Sequence, residues 1–419
     1  PLTISGAAHN SVTALFAVQG NKQKTGSALL RGTLPEIGGT IENGSSYNSG
    51  GAYSLNQPYS IKEKSTFKNN AAAKNGGALY VGPKGCIIGG ESLTFIGNHA
   101  ALDGGAAYLE SSESSGSNSF GSGAVFTENT SKGCGGALYI SDGTKLTITG
   151  SASFTGNTAG DRGGAIYNAG NLLLDTTGGD ITFENNSAGG SANDIHLGQS
   201  QTNAPLITIT GTHSVILKGG LTMDDTWYDA GSFDGITPSV DDLAGHTLIT
   251  VSKENLQGNL SLGGSLTSGR YNKLLFAGGT TDIEKSFTLS EGSRLVLYSG
   301  TLNVGGDFTA QTGTETVAVR KEISVSGKTT LPEDFGALFA DTDMLANELT
   351  GLGNEPVPQP DRDSVILHAR GGIASSDGPD GTLGVRNYTL KISGSGKLTV
   401  TANGNGNVYG IYADEGVTI

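Results

Sequence analysis

Apolar residues recur along this chain in runs of about three, separated by Gly, Asn, Asp, Ser and Thr. Between Gly163 and Asn186 the apolar runs are 165–167, 172–174 and 181–183, and segments 168–171 and 176–180 between them have turn composition. Runs this short predict strands, and segments so rich in Gly, Thr, Asn and Ser have low helix propensity. Three strands and three turns in about 28 residues predict one coil of a parallel β-helix, in which each coil covers the next.

One pattern of residues is written five times. It begins with F-x-x-N at Phe67 and Asn70, Phe95 and Asn98, Phe126 and Asn129, Phe154 and Asn157, and Phe183 and Asn186. In the first four copies a glycine pair starts nine residues after the phenylalanine: Gly76 and Gly77, Gly104 and Gly105, Gly135 and Gly136, Gly163 and Gly164. The fifth copy keeps the offset but reads Ala192-Asn193-Asp194-Ile195-His196. The steps between phenylalanines are 28, 31, 28 and 29 residues, a period that predicts stacked units. The longest step contains the serine-rich segment 110–117, expected to be a loop insertion that leaves its coil intact.

The phenylalanine is expected to face inward and stack on its copies at about 4.8 Å per coil. The asparagine is expected to close a turn, where it tolerates left-handed geometry, and to ladder along the axis. The glycine pair permits a corner that a Cβ would obstruct.

Alternating F-x-x-N and G-G-A-(L/I) motifs resemble the repeats of the chlamydial polymorphic membrane proteins, autotransporter adhesins with β-helical passengers. The resemblance covers residues 67–197, with Ala107 where the motif has Leu or Ile, and is weaker over 205–340, where that family carries a β-rich middle region without repeats. It implies a surface role and binding without a catalytic step. The chain shows neither a signal peptide nor a barrel segment, begins without Met and stops within an apparent strand, so it is expected to be a piece of a longer protein.

Read in order, residues 1–66 are degenerate coils, with Gly50-Gly51-Ala52 as an echo of the motif, and 67–200 are the motif coils. Residues 201–332 continue as coils without it, with strands expected at 205–210, 214–217, 248–251, 260–262 and onward to Phe308. Phe335, Leu338, Phe339, Met344, Leu345 and Leu349 recur at roughly helical spacing, which predicts a short amphipathic helix. Gly351 and Gly353 stop it, Pro356, Pro358 and Pro360 form a spacer, and a boundary is placed at 352–362. Residues 363–419 resume as a C-terminal β segment. The expected fold is therefore all-β: a right-handed parallel β-helix with a short helical insertion over 333–350, which with its proline-rich linker covers 333–362, and that β segment.

Charge and composition narrow the function. A net charge of −14 without a basic stripe argues against nucleic acid. The chain has no apolar run of about 18 residues, so no transmembrane helix is expected. Cys86 and Cys134 fall at different offsets from their glycine pairs, which argues against a bridge between them.

A β-helical hydrolase or lyase needs paired carboxylates on neighbouring coils. The two residues before each glycine pair form no such column: Lys74 and Asn75, Leu102 and Asp103, Gly133 and Cys134, Asp161 and Arg162, Gly190 and Ser191. Tyr80, Tyr108, Tyr139 and Tyr167 do form a column, with His196 in the last copy and mostly aliphatic neighbours on either side. If those neighbours face inward, the tyrosines form an outward stripe able to meet a sugar or a host protein; the plainer reading is a structural ladder.

The densest acidic cluster, Asp224, Asp225 and Asp229 around Trp227, then Asp234, Asp241 and Asp242, matches no calcium loop and reads as a solvated loop. The histidines match no zinc spacing, and no nucleophile elbow, P-loop or dinucleotide fingerprint occurs. Sequons at Asn129 and Asn185 are uninformative in so Asn-rich a chain.

The expected function is a bacterial autotransporter-like passenger, surface-exposed or secreted, serving adhesion or as an extended scaffold. No cofactor, metal or catalysis is expected, and the expected partner is a host-cell or glycan receptor. Two alternatives stand beside it. One is a fibre subunit assembling end to end, and the other is a carbohydrate-active enzyme using Asp224–Asp242 carboxylates.

Overall fold

The structure is a computed structural model. It describes residues 38–110, 117–198, 206–225, 248–251, 258–270, 272–276, 279–297 and 301–311, together with the further short strands named below. The chain forms two compact units, Pro1–Thr222 and Met223–Ile419.

In the first unit the polypeptide winds as a parallel β-solenoid. One coil contains Thr66–Lys68, Ala71–Ala72, Leu79–Val81 and Cys86–Gly89, and each strand pairs in parallel with its copy in the next coil. The sequence predicts three strands per coil, and the structure adds the two-residue strand after the asparagine. Two residues are too few to show alternation, so only pairing with the neighbouring coil reveals them. The four resulting sheets are called here the Phe, Ala, Tyr and long sheets.

Register follows the motif. Phe67, Phe95, Phe126, Phe154 and Phe183 are directly opposed along the Phe sheet. Their wholly buried rings stack at 4.8, 4.9, 4.5 and 4.5 Å with their planes within 5° of parallel. Burying each ring contributes roughly 1.5–3 kcal/mol, and the stacking fixes the register because a slip by one residue turns every ring outward.

The asparagine column is buried and hydrogen-bonded throughout. Asn98 Oδ1 accepts from both the backbone N–H and the Nδ2 of Asn70, and Asn129, Asn157 and Asn186 repeat this down the stack. Each Nδ2 also donates to a backbone carbonyl one coil back, that of Ile41 for Asn70 and that of the phenylalanine for the other four, as Asn129 does to Phe95. The ladder expected from the sequence is present. The left-handed residue, however, is the one before the asparagine: Asn69, Gly97, Glu128, Gly156 and Asn185 have φ between 53° and 67°. The bend falls there because the asparagine's side chain must point into the ladder.

The glycine pair divides its work. Gly76 takes φ +67°, whereas Gly77 carries no Cβ because one would lie on the Gly105 carbonyl of the next coil. The degenerate coils are present as well: Ser11–Thr13 pairs with Thr40–Glu42, and Ala28–Leu29 with Tyr53–Leu55.

The second unit is wound more simply, with three strands per coil and, between residues 259 and 338, partners 21 residues apart, as in Asp282 and Asn303. Leu274 opposes Leu295, Leu302 opposes Thr281, and Phe287 opposes Phe308. The expected strands at 214–217 in the first unit and 248–251 in the second are found at those positions.

One expectation is corrected here. Within the helix predicted over 333–350, Gly336–Leu338 is a strand, paired in parallel with Glu315–Ala318. The helical spacing of Phe335 and Leu338 loses to an open strand edge, whose N–H and C=O groups an incoming strand satisfies and a helix does not. The remainder of that helix and the proline-rich spacer lie outside the described residues. Across the boundary placed at 352–362, Glu322–Val325 pairs directly with Val365–Ala369. Thr389–Ser393 and Gly416–Thr418 extend that sheet. Among the described residues the helical turn is Thr176–Gly178, capped by Asp175 accepting from Thr177 N–H.

Candidate functional site

The strands of the Tyr sheet place their aliphatic residues inward. Leu79 and Val81, Leu138 and Ile140, and Ile166 are wholly buried, so the intervening tyrosines turn outward by strand alternation. The structure brings Tyr80, Tyr108, Tyr139 and Tyr167 into one column and ends it with His196.

The tyrosines are half-buried rather than free. Successive ring centroids are 5.7, 4.6, 4.8 and 5.5 Å apart, with planes within 21° of parallel. Each inner ring therefore has both faces covered by neighbours, which leaves edges and hydroxyls to the outside. The Tyr80 hydroxyl donates to Glu110 Oε2 at 2.5 Å, next to the serine-rich segment. The Tyr167 hydroxyl lies over Gly198, where a Cβ would collide with it. Burial pushes the Tyr80 and Tyr139 phenols far above their ordinary value of 10.0, reinforced by Glu110 at Tyr80 and by the neighbouring tyrosines at Tyr139. Burial raises the Tyr108 phenol as well, so Tyr80, Tyr108 and Tyr139 stay neutral at physiological pH.

His196 ends the column beside Thr222. Asn193 Nδ2 donates to Thr222 Oγ1 at 2.8 Å, and Thr222 Oγ1 is 2.8 Å from His196 Nδ1, so the hydroxyl joins the Asn193 amide to the His196 ring.

The other sequence candidates are not brought together as chemistry. Asp103 accepts from the Cys134 N–H at 2.7 Å, and the Cys134 thiol points at Asp161 at 3.7 Å. Burial and then the two carboxylates raise that thiol to about 12, the opposite of an activated nucleophile. Cys86 is buried, and both cysteines are free. Asp225 is engaged by Arg270 at 2.8 Å and the Asp224 carbonyl by Asn272, while Asp229, Asp234, Asp241 and Asp242 lie outside the described residues. Among the described residues no group of three or more His, Cys, Asp or Glu is placed to hold a metal ion. The sequon residue Asn129 is inside the ladder, whereas Asn185 is exposed.

Sequence reasoning passed over Asp194, which is wholly buried and takes a place in the asparagine ladder. The available signal was the loss of the glycine pair in the fifth copy, where Asn193 and Asp194 replace Gly and Ala.

Comparison with known families places the repeats. The model of the Chlamydia polymorphic membrane protein repeat matches residues 64–82, 92–110, 123–141 and 151–169. Each match runs from just before a Phe strand to the end of the following Tyr strand, and so takes in the phenylalanine, asparagine, glycine and tyrosine columns. No curated protein and no solved structure matches the chain.

Proposed function

We propose that this chain, which carries four Chlamydia polymorphic membrane protein repeats wound into a β-solenoid, acts as an adhesive segment of a bacterial autotransporter passenger. The repeats and the solenoid fit such a surface passenger, and they carry the proposal because the matched residues are those that build the coils. The location that goes with it is the outer-membrane surface or the extracellular space. The contact is made by the side of the solenoid, without a chemical step, and the partner is a host-cell or glycan receptor.

The tyrosine column is the best candidate for the contact. Its inner ring faces are occupied, so a partner meets ring edges and a row of neutral hydroxyls. That arrangement suits hydrogen bonding to a protein loop or to sugar hydroxyls, and not the stacking of a sugar on a ring.

The test is binding of the purified chain to host cells and to glycan arrays, repeated with Tyr108→Ser and Tyr139→Ser combined. The expected result is specific binding that weakens at least about tenfold in the double variant. Binding that the double variant leaves intact removes the tyrosine column from the proposal. A chain that binds no surface sinks the adhesive reading itself.

A further inference from the structure

The asparagine ladder has a direction, and its last rung is unlike the others. In every inner rung, the Oδ1 of one asparagine accepts the N–H and Nδ2 of the asparagine one coil before it. The donor groups thus point toward the C-terminal end of the stack, and the final Nδ2, on Asn186, needs an acceptor that a further asparagine would supply. The next coil has none: Phe183 opposes Leu217, so Gly220 stands where the asparagine belongs.

Asp194 fills that place from within the same coil. Its Oδ1 accepts from Asn186 Nδ2 at 2.8 Å and its Oδ2 from the Gly219 N–H at 2.6 Å. It reaches there because the chain reverses at Gly189 and Gly190, where Ser191–Ala192 folds back antiparallel on Ser187–Ala188. Backbone bonds then lock the residue: its carbonyl accepts from Ala165 and Ile166, and its N–H donates to the Gly220 carbonyl.

Among the described residues the surroundings of this carboxylate are polar but uncharged. Facing it are the Asn186 amide, the N–H groups of Gly219 and Gly220 from the following coil, and the backbone of Ala165 and Ile166 from the preceding one. Lys218 turns outward to Glu184 at 2.9 Å, and His196, two residues further along the chain, is engaged outside by Thr222. An ionised carboxylate that is wholly buried, with no cation facing it among the described residues, is costly.

We propose that Asp194 is a proton-responsive stopper of the asparagine ladder: protonation tightens the C-terminal end of the motif coils and ionisation loosens it. Burial outweighs the N–H donors and raises the carboxyl above its ordinary value of 3.8. A carboxyl raised by folding binds its proton more tightly in the native state. Stability from this group is therefore greatest in acid, falls as pH rises through the raised value, and stays at the lower level above it.

The experiment is amide hydrogen exchange on the full chain between pH 4 and 7.5, corrected for the chemical exchange rate. The readout is protection at Gly219, Gly220 and Ile195, with Asn98 and Asn129 as distant controls. Protection at the first three is expected to fall with rising pH, by about tenfold for each unit the carboxyl is raised. The controls stay flat, and Asp194→Asn abolishes the slope. A flat profile in the parent chain, or an unchanged slope in the variant, overturns the proposal. Should Asp194→Asn fail to fold, a carbon NMR titration of the Asp194 carboxyl in the parent chain decides. A midpoint at or below 3.8 overturns it equally.

Discussion

At the scale of residues, asparagines at two adjacent positions of the motif do unlike jobs. Asn129 sits inside the ladder, where it accepts from Asn98 and donates to Phe95 and Asn157. Removing its amide strands several buried groups together, each worth about 1–3 kcal/mol. Asn129→Ala is therefore expected to lower unfolding stability in urea by about 3 kcal/mol or more. Asn185 only supplies a left-handed bend on the surface, a place that Gly97 and Gly156 take in sister coils. Asn185→Gly is expected to stay within about 0.5 kcal/mol of the parent, because glycine adopts that φ without strain. Equal effects from the two changes would contradict the ladder as a stabilising column.

At the scale of elements, the Tyr sheet shows how one column serves two demands. Its inward aliphatics build the core, while its outward rings cover one another and leave their hydroxyls at the rim. The packing that makes the column rigid also holds its phenols neutral. A phenol raised by folding keeps its proton more tightly in the native state, so stability declines as pH climbs above the unfolded value near 10.0. Ultraviolet titration is expected to show a late group of tyrosines that ionises together with unfolding, and Tyr139→Phe is expected to shrink that group. Ordinary midpoints for every tyrosine would show that the rings are solvated.

At the scale of the molecule, stability rests on repetition and not on cross-links. Both cysteines are free, and the columns of Phe, Asn and Gly run from coil to coil through the motif region. The melting temperature is accordingly expected to be unmoved by reductant. Cys134, with its thiol raised to about 12, should alkylate more slowly than a free thiol of value 9.0, because little of it is thiolate at neutral pH. A reductant-sensitive melt would reveal a bridge and revise this view. Such a framework leaves the outer faces open to vary, which suits the proposed role at a bacterial surface.

Much of this was legible in the sequence because a solenoid's constraints are periodic. The spacing of Phe126, Phe154 and Phe183 determined the coil length and the register, since only one alignment buries every ring. Short apolar runs likewise placed the strands at 214–217, 248–251 and 287–289. What the tertiary structure alone decided are matters of who pairs with whom across coils. The two-residue Ala strands exist only through their neighbours, and Gly336–Leu338 became a strand because an open edge was offered to it. The tyrosine stripe points outward as its alternation requires, but that its rings cover each other depends on the coil spacing. Asp194 entered the ladder for the same kind of reason. Local sequence states what a residue prefers, whereas an unfilled hydrogen bond in the next coil states what it must satisfy.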